Sequence, residues 1–340
     1  MTKSKRKTTI KDLAKAAQTS AATASLVMND AWKEHRINPE TAKRVQMQAR
    51  HLGYQPNQRA RALRLKRSSL AGLIIPHHRN RFFAGLTEHF EQESHRRGLV
   101  PIIGSTQREP ELEAKVAASM IAQDVEFLVL AGIDSPSEIN RMCRQAGVRC
   151  VNVDLPGDEA FSVVTDNEGG ARQLTSRLLA NLPQEAPVMF LGGRAGEYAT
   201  DLRIRGFLAA HEEAGRDTRN IQITCCGYSP LAAHDALQQM IRAGKPLPSA
   251  LLVNSITAFE GFATFWRDHP EGFSGVRVAC FDWDPFAFCL PIETIMLRQD
   301  VEGLIAHCFD WFDASQSRAG EITMVAPQFA TNRIAPGKKE

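Results

Sequence analysis

Residues 9–29 read Thr9-Ile10-Lys11-Asp12-Leu13-Ala14-Lys15-Ala16-Ala17-Gln18-Thr19-Ser20-Ala21-Ala22-Thr23-Ala24-Ser25-Leu26-Val27-Met28-Asn29. Thr9 stands three residues before Asp12, a spacing at which each side chain can satisfy the other's backbone N–H, so a helix starts here. Ile10, Leu13, Ala14 and Ala17 then recur at helical spacing. Gln18-Thr19 interrupts, Ser20 offers a second N-cap, and Ala24, Val27 and Met28 supply the next apolar face. Asn38-Pro39-Glu40 opens a third helix, with Asn as cap and Pro at its first position. Ala42, Val45, Ala49 and Leu52 give it an inner face, and Gly53 ends it. Two short helices around a three-residue turn, braced by a third, predict a helix-turn-helix unit over 1–56. In that geometry the second helix enters the DNA major groove by its N-terminal residues.

The charge distribution points the same way. Residues 1–68 hold 16 Lys and Arg against 4 Asp and Glu, a net of +12. The remainder holds 25 against 34, a net of −9, so the formal +3 of the whole chain hides a basic head on an acidic body. That asymmetry suggests a nucleic-acid-binding module joined to a second function. The 340 residues call for more than one core. A hydrophobic content of 43% with 23% charged residues excludes collagen-like, low-complexity and small disulfide-stapled classes. No run of eighteen apolar residues is present, so no spanning helix is expected. The basic start, Met1 to Lys7, leads into no apolar segment of a secretory signal. Seven cysteines without a Cys-x-x-Cys spacing read as reduced thiols of a cytoplasmic protein.

Thr9-Ile10-Lys11-Asp12-Leu13-Ala14 and Ser20 through Asn29, followed by Gly53-Tyr54-Gln55-Pro56-Asn57 and Arg59-Ala60-Arg61-Ala62-Leu63, together resemble the headpiece and hinge of the lac repressor family. The long loop Ala31 to Ile37 and Thr23-Ala24-Ser25 are similar to its sucrose and fructose repressor branch. The resemblance implies double-stranded operator DNA as a partner. It implies contacts from Thr9, Ser20, Ala21, Ala22, Thr23, Ser25, Leu26, Asn29, Arg36 and Tyr54. It also implies a hinge helix within 57–68, where Asn57, Ala60, Leu63 and Arg64 meet the minor groove and Leu63 wedges into a central step. Alone, such a basic helix is too short to be stable in water. Two departures stand out. Gln18 occupies a turn position usually held by Gly, where a left-handed backbone is harder for a side chain, so an adjusted turn is expected. Ala21, Ala22 and Leu26 sit where relatives carry hydrogen-bonding readers, so they are left to read shape or thymine methyls. Ser25, Asn29 and Arg36 then serve phosphates more than bases.

From residue 70 the pattern alternates. Strands are predicted at 70–75, 99–103, 125–130, 148–153, 187–191, 221–225, 249–253 and 276–281, with helices at 82–97, 111–122, 136–146, 168–181, 200–214, 231–243 and 256–268. Pro101 suggests an edge position for its strand. Repeated β-α units argue for an α/β body of parallel sheets covered on both faces. The resemblance adds two periplasmic-binding-protein-like subdomains. The first spans about 69–166 plus 298–327 and the second about 167–297 plus 328–336, with crossings near 166, 297 and 327. It implies a homodimer, and the end Ala335 to Glu340 carries no heptad to pair dimers into tetramers.

Ligands of such folds sit at the carboxyl ends of strands. The candidates there are His78, Phe83, Asp154, Arg203, Tyr228, Ser255 and Asp282. Arg203-Ile204-Arg205-Gly206-Phe207 and Cys280-Phe281-Asp282 resemble family segments whose Arg and Asp reach a sugar or purine. Tyr228 stands where relatives stack an aromatic on a sugar, while Ser255-Ile256 departs from a common Asn-Asp and Asp154-Leu155 from an Asp-Arg. The implied effector is a small sugar or sugar phosphate, acting as inducer or as corepressor. Gly-x-Gly-x-x-Gly, Gly-x-x-x-x-Gly-Lys, His-Glu-x-x-His and Gly-x-Ser-x-Gly are absent from the sequence, so neither an enzyme nor a cofactor is expected. No metal site is expected either, since the adjacent His77-His78 point different ways. An α/β sugar-processing or sugar-binding protein with an appended head is the alternative.

Overall fold

The computed structural model describes residues 8–55, 67–218, 221–273, 275–314 and 319–330. Two compact units meet between Ser68 and Ser69. The expected hinge residues Asn57, Ala60, Leu63 and Arg64 lie outside the described residues.

The first unit contains α1 (Ile10–Ala16), α2 (Ala21–Met28) and α3 (Pro39–His51). The capping box forms as read. Asp12 N–H donates to Thr9 Oγ1 at 3.3 Å and Thr9 N–H to Asp12 Oδ2 at 2.9 Å. Ser20 accepts from Thr23 N–H at 3.0 Å, and Asn38 from Glu40 N–H at 2.8 Å. Leu13, Ala14, Ala17, Ala24, Val27, Ala42, Val45 and Ala49 form the buried core, with Trp32 and Tyr54 packed against it. Gln18 does take the left-handed backbone of the missing glycine, at φ +48°. A non-glycine residue there stores about 1 kcal/mol of strain. Arg44 Nε donates to Ala17 O at 2.9 Å, which ties α3 to the end of α1.

The second unit carries two six-stranded sheets. β1 (Leu70–Ile75), β2 (Val100–Ser105), β3 (Phe127–Ala131), β4 (Arg149–Val153), β5 (Phe161–Thr165) and β11 (Ile322–Val325) make the first, in the order β11-β5-β4-β3-β1-β2, all parallel. β6 (Val188–Leu191), β7 (Gln222–Thr224), β8 (Ala250–Val253), β9 (Arg277–Phe281), β10 (Thr294–Arg298) and β12 (Gln328–Phe329) make the second, in the order β12-β10-β9-β8-β6-β7. Only β12 runs antiparallel there. Pro101 lies on β2, an edge strand, where its missing N–H costs no ladder bond.

Helices cover both faces of both sheets. On the first, α4 (Arg81–Arg96) and α11 (Val301–Asp313) bury Phe90, Phe309 and Leu304 on one side; α5 (Pro110–Ile121) and α6 (Ser137–Ala146) bury Met120 and Ile139 on the other. On the second, α7 (Asn167–Leu179) and α8 (Tyr198–Glu213) face α9 (Pro230–Arg242) and α10 (Ile256–Asp268) across the sheet. This double cover is why the strands read as continuous apolar runs.

The chain passes between sheets after β5, after β10 and after β11, close to the expected crossings. The sequence pattern missed β5, β10, β11, β12 and α11. β12 has two residues and β11 alternates exposed with half-buried positions, so neither has the run of a buried strand.

Candidate functional site

Among the head residues singled out, Ala21, Ala22 and Arg36 are exposed, and Thr23, Ser25, Leu26 and Asn29 are half-buried. Several polar groups are already engaged. The Thr9 hydroxyl bonds Asp12 at 2.7 Å, Ser20 and Thr23 share a hydroxyl–hydroxyl bond of 2.9 Å, and Asn29 donates to Ser25 O at 2.7 Å. Tyr54 packs on the core, and burial raises its phenol pKa.

In the body, a cavity of about 280 Å³ collects Phe83, Asp154, Arg203, Tyr228, Ser255 and Asp282. They arrive from separate places: Phe83 from α4, Asp154 after β4, Arg203 from α8, Tyr228 after β7, Ser255 as the cap of α10, and Asp282 after β9. His78 does not line the cavity; its neighbour His77 does. Both stand in the loop after β1, where the course of the bend and not strand alternation sets side-chain direction. Gln107, Arg108, Thr257, Glu260 and Gln299 also line it and were not read from sequence. Gln299 follows β10, one of the missed strands.

The inner cation is Arg203, 3% exposed. It donates to Asn167 Oδ1 at 2.8 Å and Asn254 O at 2.7 Å, with its guanidinium 3.9 Å from the Phe281 ring centre. Asp282 accepts from Gln299 Nε2 at 2.8 Å and Ile256 N–H at 3.1 Å, and Thr165 Oγ1 donates to the same Gln299 at 2.6 Å. Asn254 is fully buried, and neither side-chain amide atom has a partner among the described residues. Burial raises the Asp282 carboxyl pKa, against the pull of Arg203.

Asp154 is the least supported acid. It is 8% exposed, with a backbone φ of +75°. Its carboxylate has no hydrogen bond or ion pair among the described residues. Burial pushes it up to about 6; Arg203 and Arg108 oppose this, while Glu197 and Asp282 add to it. Unfolded, the group titrates near its ordinary 3.8. The raised value therefore favours the folded state at low pH, and that advantage is lost as pH rises through about 6. We expect Asp154→Asn to stabilise the effector-free protein by about 2–3 kcal/mol at pH 8, because Asn carries no charge and tolerates positive φ. The gain should shrink as pH falls below about 6 and be smallest near pH 4. Denaturant melts at pH 8 and pH 4.5 check this, and equal gains at both would remove the charge argument.

One lip of the cleft is pinned by a polar network between the two halves. Arg108, after β2, contacts Gly132 O at 3.1 Å and Asp134 at 3.3 Å from the first half, and Glu197 at 3.8 Å from the second. Arg194 reaches Asp134 at 2.7 Å and Glu197 at 2.9 Å. Burial pushes Glu197 up, but donation from Tyr228, Arg194 and Thr200 outweighs it and leaves the carboxyl below its usual range. Tyr228 is thus engaged: its hydroxyl donates to Glu197, and the guanidiniums of Arg108 and Arg194 lie 5.3 and 5.9 Å from its ring centre. Its ring lines the cavity while its hydroxyl is already committed. The other lip is held by Arg81 and Asp284 at 2.8 Å.

Residues 9–57 match the model of bacterial regulatory proteins of the lacI family, and residues 68–269 match that of periplasmic binding proteins and the sugar binding domain of the LacI family. The chain is 32% identical over 309 residues to the sucrose operon repressor of Klebsiella pneumoniae, covering 90% of this chain and 91% of that one. It is 42% identical over 193 residues to the ribitol operon repressor of Klebsiella aerogenes, covering 56% and 72%. Its fold is similar to that of the lac repressor dimer bound to operator and the anti-inducer ONPF, with a TM-score of 0.78 at 18% identity over 96% of this chain and 98% of that one. A Cra transcriptional dual regulator from Pseudomonas putida in complex with fructose 1-phosphate gives 0.68 at 21% identity, covering 78% and 99%.

Proposed function

Because the chain belongs to the lacI family of bacterial regulatory proteins, whose members are DNA-binding transcriptional regulators, we propose that it represses an operon for a small sugar or sugar alcohol and leaves its operator when that compound fills the body cleft. The observation that carries the effector role is the convergence of Asp154, Arg203, Tyr228, Ser255 and Asp282, from five separate loops and helices, on one cavity between the two sheets.

In this reading two subunits pair and present two heads to a near-palindromic operator, in the cytoplasm. α2 enters the major groove, with Ala21, Ala22 and Leu26 against bases and Ser25 and Arg36 on phosphates. Thr9, Ser20, Thr23 and Asn29 shape the helix ends and reach phosphates through groups their internal bonds leave over. Tyr54, Asn57, Ala60, Leu63 and Arg64 carry the contact on into the minor groove. The cleft binds reversibly and does no chemistry. Effector and operator are linked, so each weakens the other by the same factor, typically about 5–150-fold.

The test is fluorescence anisotropy of the full chain on operator DNA, with ribitol, sucrose, fructose and their phosphate esters as candidate effectors. Operator affinity should fall steeply with salt and fall again with one effector. Tightening by the effector would make it a corepressor. Lack of preference for any duplex over random competitor, under every compound, would sink the reading.

A further inference from the structure

The lip built from Arg108, Arg194, Asp134 and Glu197 joins the two halves of the body by crossed ion pairs. Asp134 belongs to the first half, between β3 and α6, and takes Arg194 of the second at 2.7 Å. Glu197 caps α8 in the second half and faces Arg108 of the first at 3.8 Å. Each arginine also meets an acid of its own half, Arg108 with Asp134 at 3.3 Å and Arg194 with Glu197 at 2.9 Å. Every partner is a group of the protein, so the bridge needs nothing bound in the cavity to form.

The segment that delivers Arg108 is strained. Residues 106–109 make a turn in which Glu109 N–H donates to Thr106 O at 3.0 Å. Its two central residues, Gln107 and Arg108, have φ of +58° and +62°. Turns with two left-handed central residues ordinarily place Asn and Gly there, because a larger side chain crowds that backbone. Such strain persists only where the surroundings hold it. Gln107 N–H donates to Pro76 O at 2.9 Å, and the Arg108 guanidinium is held on Gly132 O at 3.1 Å and on Asp134, beside Glu197.

We propose that these four side chains form a latch that keeps the two halves shut at this lip between visits by a ligand, and that the strained turn sets the latch to release readily. Arg108 also lines the cavity, so a ligand that draws its guanidinium inward loosens the latch. The latch is a property of the body and stands whatever compound fills the cavity.

The test is double electron–electron resonance on the full chain. Nitroxides are attached through keto amino acids at Glu138 of α6 and Glu212 of α8, both exposed, one in each half and neither part of the ion-pair cluster. Labelled chain is diluted into unlabelled chain, so that only distances within one chain are read. At about 0.1 M salt the parent should give one narrow distance. Asp134→Lys, which sets a cation against both arginines, should lengthen the mean by more than about 2 Å, and Arg194→Glu should do the same from the other half. Asp134→Ser removes the acid without adding repulsion and should give a mixture of narrow and long distances. Gln107→Gly added to it relieves the turn and should raise the narrow share by at least about 3-fold. A parent distance already broad, or an Asp134 variant as narrow as the parent, would overturn the latch. Failure of Gln107→Gly to recover the narrow distance would remove the turn as its spring.

Discussion

Arg203→Ala will bind operator as tightly as the parent chain and will not be released by effector. The head folds around its own core of Leu13, Val27 and Val45, in a unit that ends before the body begins, so operator contact does not depend on this side chain. The cleft does. Removing the guanidinium leaves Asn167 Oδ1 and Asn254 O without their donor inside the protein, at a cost of about 2–4 kcal/mol for the pair. It also strips away the strongest positive charge holding down the Asp154 and Asp282 carboxyl pKa values, so both take up protons more readily. Effector affinity should fall by at least about 100-fold, a loss of about 3 kcal/mol. Arg203→Lys keeps the charge but not the planar fork, so it should recover stability more than response. Anisotropy titrations of operator release, beside denaturant melts, read both effects. A half-release concentration within about 3-fold of the parent, a difference under 1 kcal/mol, would show that Arg203 does not face the ligand.

Gly206→Ala should cost about 3 kcal/mol or more, although the same exchange inside an exposed helix gains about 1 kcal/mol. Here α8 lies so close on α7 that a Cβ at 206 would press into the Glu168 carbonyl oxygen and come within 2.9 Å of Arg172 N and 3.1 Å of Ala171 Cβ. Two of those three atoms are backbone, so no rotamer change relieves them and the helices must part. Arg203 stands one turn earlier on the same helix, and its bonds to Asn167 and Asn254 are set by that spacing. The melting temperature of the body should fall by about 5–10 °C. Effector binding should weaken with it. An unchanged or raised melting temperature would mean that the helix pair yields without cost. The glycine of the Arg-x-x-Gly segment is thus there for helix–helix approach, and it positions the arginine through packing.

Much was legible in the chain because the physics behind it is local. Thr9 with Asp12, and Ser20 with Thr23, close over three residues, so caps and helix starts follow from spacing alone. The turn at Gln18 was not: an adjusted turn was expected, and the left-handed backbone is kept. β1, β3 and β8 are buried at nearly every residue and announce themselves as apolar runs, whereas β5 is as fully buried but carries Ser162 and Thr165 and was missed. A different physics governs the cleft. Whether His77 or His78 faces it depends on the course of the loop after β1, which residue spacing does not fix. The partners of Tyr228 were not legible either: folding brings Arg108 and Arg194 beside its ring and Glu197 to its hydroxyl. Gln299 reaches Asp282 only because a short, unrecognised strand carries it there.

By itself, then, the sequence determined the kind of molecule: a basic helix-turn-helix head, a doubly covered α/β body and the family to which both belong. Only the tertiary structure decided which groups in the cleft remain free to meet a ligand. A cap or an apolar run is complete within a few residues, but a side chain's freedom depends on partners such as Arg81 and Asp284, which lie 203 positions apart in the chain and meet only after both halves have folded.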